Sequence, residues 1–84
     1  MRVIKLTALW CPSCIIMNKI FDDINKEYNF EVISYDYDFD NDEVSKYNIG
    51  KILPVFIFLK DNKEVLRIIG EKDKQEFINL IKEV

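Results

Sequence analysis

The spacing of apolar residues switches between two and three-to-four along the chain, and each switch marks an element. From Val3 to Ala8, Ile4, Leu6 and Ala8 alternate with Val3, Lys5 and Thr7, the pattern of a half-buried strand. From Pro12 onward, Met17, Ile20, Phe21, Ile24 and Tyr28 recur at helical spacing, while Asn18, Lys19, Asp22, Asp23 and Lys26 fall opposite them. That predicts an amphipathic helix of about four turns. Phe30 to Tyr37 returns to alternation, with Ile33, Tyr35 and Tyr37 opposed to Val32, Ser34 and Asp36. Strand, helix and strand in succession read as a parallel unit with a right-handed crossover.

In the second half, Asp40 or Asn41 can cap a short helix through Tyr47, and Gly50 suits its exit. Val55-Phe56-Ile57-Phe58-Leu59 is apolar without a break, which fits a central strand covered on both faces. Asp61-Asn62 turns the chain straight into Glu64 to Ile69, so these two strands pair as an antiparallel hairpin. Asp73 and Glu76 form a capping pattern ahead of a last helix, whose apolar face is Phe77, Leu80, Ile81 and Val84. The expected fold is α/β: one domain over residues 1–84, compact βαβαββα, with a four-stranded mixed sheet flanked by helices and strands in the order 2-1-3-4.

Composition removes whole classes of function. With 84 residues, 49% of them apolar, and only two glycines and two prolines, the chain is a globular domain near the lower size limit for an unaided core. A net charge of -3, with lysines scattered among the acids, leaves no basic face for nucleic acid or an anionic membrane. Arg2 and Lys5 interrupt the first apolar stretch before it reaches signal-peptide length, and no run approaches the roughly 20 residues of a spanning helix. A soluble, cytoplasmic monomer is expected.

Candidate chemistry concentrates in Trp10-Cys11-Pro12-Ser13-Cys14, which holds both cysteines. Cys11 falls at the N-cap of the first predicted helix, Pro12 at its first position and Cys14 one turn in. The amides of Ser13 and Cys14 then point back toward the Cys11 sulfur at the positive end of the helix. Cys11 is therefore placed to attack a disulfide and Cys14 to resolve the mixed disulfide. A structural staple closing so short a loop would add little stability, and two cysteines without histidine are too few for zinc. The run Asp36, Asp38, Asp40, Asp42 imitates the start of a calcium loop, but Asn41 and Tyr47 stand where glycine and glutamate are needed, so it reads as a strand edge leading into a helix cap. Trp10 is either core filling or part of a docking surface.

Over nearly its whole length the sequence resembles the thioredoxin family in a compact form. The resemblance rests on Trp-Cys-x-x-Cys at Trp10 to Cys14, the proline at Pro54 that opens a strand, and Gly70 after the hairpin. It implies a cis Leu53-Pro54 peptide facing the cysteines, and a substrate groove formed by Trp10, Pro12, Ser13, Leu53, Pro54 and Gly70. It also implies a redox centre that is the Cys11 to Cys14 disulfide itself, with no other cofactor. The implied activity is reduction of disulfide-containing proteins, coupled to a thioredoxin-reductase-like donor. Three positions depart from the family. Pro-Ser between the cysteines is nearer to glutaredoxins, which makes a glutathione-linked reductant an alternative. Lys5 replaces a buried acid; it either lays its stem along the sheet with its amine in water, or acts on Cys14 as a cation or base. Glu71 places a charge where a small residue is usual. A nonenzymatic binding module, or an iron-sulfur cluster shared between two chains through Cys11, is a third reading.

Overall fold

In the computed structural model, which describes all 84 residues, the chain runs β1 (Arg2–Thr7), α1 (Pro12–Tyr28), β2 (Glu31–Asp36), α2 (Asn41–Val44), a 3-10 turn (Ser45–Tyr47), β3 (Val55–Lys60), β4 (Lys63–Ile69) and α3 (Lys74–Lys82). The sheet order is β2-β1-β3-β4, with β1 parallel to β2, and the β1/β3 and β3/β4 pairs antiparallel. This is the expected thioredoxin-like mixed sheet. Strands begin and end within a residue or so of the positions read from alternation, while α1 runs to 17 residues.

Alternation along the strands sorts the core into two layers. On one face Val3, Phe56, Phe58 and Ile68 meet Met17, Phe21 and Ile24 of α1 and Phe77 and Ile81 of α3. On the other, Ile4, Leu6, Val55 and Ile57 pack with Ala8, Val44, Leu53, Cys11 and Cys14. The uninterrupted run in β3 follows from this arrangement, since Val55 to Phe58 are buried whichever way they point.

Loop chemistry explains the boundaries. Asn29 ends α1 in the left-handed region at φ 55°, its amide donating to the Asn25 carbonyl, while the Asn25 side chain accepts from the Phe30 amide at 2.7 Å. Asp61 and Asn62 both have positive φ, as a two-residue hairpin loop requires. The Asp73 carboxylate accepts from the Glu76 amide at 2.8 Å and so caps α3 as predicted.

Three expectations are corrected. The helical segment ends at Tyr47 as expected, tightening to 3-10 after one turn, but the residue that takes its exit is Asn48 at φ 52°, not Gly50. Asp40 sits at the N-cap of α2 but spends its carboxylate on the Asp36 amide at 2.8 Å, closing the turn after β2 instead of capping the helix. Val84 lies beyond the end of α3 and is 45% exposed, so only Phe77 and Ile81 are buried on that face, with Leu80 partly covered. No helix is long and apolar enough to cross a membrane.

Candidate active site

The loop between β1 and α1 delivers both cysteines to the edge of the second core layer. Cys11 is the N-cap of α1, with extended backbone, and Pro12 occupies the first turn, where a missing amide is harmless. The Cys14 amide donates to the Cys11 Sγ at 3.2 Å. Of the two amides expected there, this is the one that forms the bond; the Ser13 amide does not reach. Both cysteines are free thiols, and both are buried, Cys11 at 5% exposure and Cys14 at 1%.

The two thiols differ in environment. Burial pushes the Cys14 thiol from its ordinary 9.0 up to about 12; the hydrogen bond with the Cys11 side chain adds to this, and negative charge on Cys11 and Asp36 acts the same way. Folded Cys14 thus holds a proton that the unfolded thiol releases. Between about pH 9 and 12 the native state binds more protons than the unfolded state, so the stability of the reduced protein falls as pH rises through that window. Burial also raises the Tyr47 hydroxyl, which works in the same direction. Comparing thermal midpoints of the reduced protein with those of Cys14→Ala isolates the thiol: the variant is expected to lose stability less steeply above pH 9. Equal slopes would contradict this assignment.

Around the thiols lies an exposed apolar rim. Trp10 is 58% exposed and is not core filling. Its indole Nε1–H donates to Asp38 Oδ2 at 2.6 Å, and its ring stands edge-on to Tyr37 at 6.2 Å, so an exposed side chain is held in one orientation. Opposite it, the Leu53-Pro54 peptide is cis, and Leu53 packs in the cluster that contains both cysteines. The Pro54 carbonyl accepts from the Gly70 amide at 2.9 Å, which brings Gly70 to the same rim. Gly70 needs its freedom: φ is 80°, and a Cβ there would lie 3.3 Å from Ile52 Cγ2. Pro12 is exposed and Ser13 half-buried beside the cysteines, and Ile15 and Ile16 are exposed on the next turn.

Lys5 is half-buried on the α1 side of β1, between Val3 and Thr7. The charges that raise the Cys14 thiol are those of Cys11 and Asp36. Sequence reasoning missed Asp38, whose partner Trp10 is 28 positions away. It also missed Met17 as more than core: Met17 Sδ accepts from the Lys72 amide at 3.4 Å. The aspartate alternation did mark the turn, since Asp36 Oδ1 accepts from the Asp38 and Phe39 amides. No group of three or more carboxylates and thiols converges on a point where a metal would sit.

Comparison with known proteins agrees with this geometry. The family model "Thioredoxin" matches residues 1–83. Thioredoxin H4 of Arabidopsis thaliana is 30% identical over 81 residues, which is 95% of this chain and 68% of that protein. The thioredoxin of Chlamydia trachomatis is 31% identical over 80 residues, 94% of this chain and 78% of that one. The chain spans a smaller share, 56%, of Thioredoxin H5 from Oryza sativa. Among solved structures, thioredoxin 1 of Thermosipho africanus superposes with a TM-score of 0.86 at 19% identity, covering 99% of this chain and 92% of that one. Thioredoxin-2 of the malaria parasite reaches 0.82 at 28% identity, covering 99% and 84%. With the family model matched over residues 1–83 and relatives at 30% identity or better covered over two thirds of their length, the chain belongs to the thioredoxin family of thiol-disulfide oxidoreductases.

Proposed function

We propose that this chain reduces protein disulfides, with Cys11 as the attacking sulfur and Cys14 as the resolving one. The observation that carries the proposal is the asymmetry of the pair: Cys11 Sγ accepts an amide N–H at the positive end of a 17-residue helix, while Cys14 is the more deeply buried and keeps its proton. The Cys11 thiolate attacks one sulfur of the target disulfide; that S–S bond breaks, a Cys11-to-partner disulfide forms, and the other partner sulfur leaves as a thiolate. Cys14 then gives up its proton and displaces the partner from Cys11, closing the Cys11 to Cys14 disulfide. Two electrons have passed to the substrate. The dithiol itself is the redox centre, one chain supplies both sulfurs, and a monomer in a reducing, cytoplasmic setting suffices for the cycle. Trp10, Pro12, Ser13, Leu53, Pro54 and Gly70 form the walls that receive the partner's extended segment.

A thioredoxin-reductase-like flavoprotein is the proposed donor, with glutathione as the second reading because proline follows the first cysteine. Insulin reduction followed with each donor system separates them. Turnover with the reductase is expected to exceed turnover with glutathione by at least about tenfold, a difference of roughly 1.4 kcal/mol in barrier. Faster turnover with glutathione would move the assignment to a glutaredoxin-like reductant, and no acceleration with either would remove the reductase reading.

A further inference from the structure

We infer that Glu71 is a pinned charge at the groove rim that selects disulfide partners carrying a lysine or arginine on the segment lying across Pro54. This rests on the reductase reading above and adds a substrate preference to it. The rim segment after β4 is held on both sides of Glu71. On one side the Gly70 amide donates to the Pro54 carbonyl at 2.9 Å; on the other the Lys72 amide donates to Met17 Sδ at 3.4 Å. Met17 is fully buried on α1, one turn beyond Cys14, so the second bond ties the rim to the helix that carries both thiols. Ile52 Cγ2 lies 3.3 Å from where a Gly70 Cβ would be, so the Ile52 side chain packs against the same segment.

Glu71 itself is exposed and takes no part in the ion pairs of the chain, which join Arg2 to Glu31, Lys26 to Asp23, Lys46 to Glu43 and Arg67 to Glu64. The adjacent cation does not neutralise it, because Lys72 Nζ donates to the Ile69 carbonyl at 3.3 Å. The Asp38 carboxylate is already engaged by the Trp10 indole. Glu71 is therefore a carboxylate without an ion-pair partner, on backbone tied at both neighbouring amides, so that less ordering is lost when a partner binds. The apolar side chains Trp10 and Ile52, both exposed, supply the contact area, and the charge sets which flanking residues are welcome. An extended segment crossing Pro54 gains an ion pair with a basic residue and meets repulsion with an acidic one.

The test uses two peptides of identical sequence except for lysine or glutamate flanking a single cysteine, which is blocked as a pyridyl disulfide so that attack releases a chromophore. Reduced protein is expected to attack the lysine peptide roughly threefold faster than the glutamate peptide at low ionic strength, about the effect of one exposed charge pair, with the ratio shrinking in high salt. Glu71→Gln should bring the ratio close to one and Glu71→Lys should invert it, while Glu71→Asp retains most of it. Met17→Leu, which keeps the packing but removes the sulfur acceptor, should lower the ratio and speed hydrogen exchange at the Lys72 amide. The net charge of the protein could favour the lysine peptide by itself, so Glu27→Gln, at the far end of α1, is the control. Equal rates for the two peptides, or a ratio lowered as much by Glu27→Gln as by Glu71→Gln, would overturn the inference while leaving the reductase reading in place. If neither peptide is attacked, both fall.

Discussion

Replacing Cys11 by serine is expected to abolish disulfide reduction, by roughly a thousandfold or more, because the attacking sulfur has no substitute within reach. Cys14→Ser should behave differently: the first exchange still proceeds, but nothing displaces the partner, and a covalent one-to-one adduct accumulates. The difference follows from position. Cys11 is the N-cap of α1 and accepts the Cys14 amide, whereas Cys14 is the more deeply buried of the two and its thiol is pushed up to about 12. Non-reducing electrophoresis of each variant with an oxidised protein substrate reads the adduct directly. Alkylation of the reduced wild type near neutral pH offers a second check, with modification expected first at Cys11. Adducts that formed with Cys11→Ser but not with Cys14→Ser would reverse the roles.

Burial of the resolving thiol has a consequence for the cycle. At neutral pH, Cys14 is overwhelmingly protonated in the reduced protein, so resolution requires its proton to leave as the mixed disulfide forms. Part of what raises Cys14 is its hydrogen bond with the Cys11 side chain and negative charge there. Once Cys11 is bonded to the partner, that charge is gone and that contribution disappears. The same event that creates the mixed disulfide therefore eases ionisation of the thiol that resolves it, and Asp36 is left as the opposing charge.

Much of this was legible in the sequence because periodicity and punctuation agreed. Alternation in Val3 to Ala8 and the unbroken Val55 to Leu59 gave the inner strands, since a side chain's face in a strand depends on parity alone. Cys11, Pro12 and Cys14 could be assigned to the N-cap, first position and first turn of α1 from the order of residue types, and they sit there. What escaped was of two kinds. Short-range competition between side chains misplaced the caps: Asp40 serves the turn after β2, and Asn48 takes the left-handed position assigned to Gly50. Long-range partners left no local trace, because nothing around Trp10 or Met17 announces Asp38 or the Lys72 amide. For Lys5 the place in the sheet was readable from parity alone, and it sits there, half-buried in β1.

Phe77→Ala is expected to be the most destabilising single change outside the active site. Phe77 is fully buried and its ring meets three others, Phe56 at 5.2 Å, Phe21 at 5.9 Å and Phe58 at 6.1 Å, in edge-on or steeply tilted contacts. Truncation removes the ring's transfer energy and leaves a cavity bounded by rigid strands, a loss of about 3 to 5 kcal/mol. A domain of this size has on the order of 5 to 10 kcal/mol in total, so roughly a third or more of its stability would go. α3 reaches the core through Phe77 and Ile81, and Phe21 belongs to the helix that carries the cysteines, so the lost contact should couple to the active site. Phe77→Leu, which keeps most of the volume, should lose far less. In a double-mutant cycle with Phe21→Ala the two losses should fail to add by about 0.5 kcal/mol or more, because the rings share one cavity. Urea midpoints with unchanged slope would measure both quantities, and a loss below about 1 kcal/mol for Phe77→Ala would mean that α3 is not docked on this cluster.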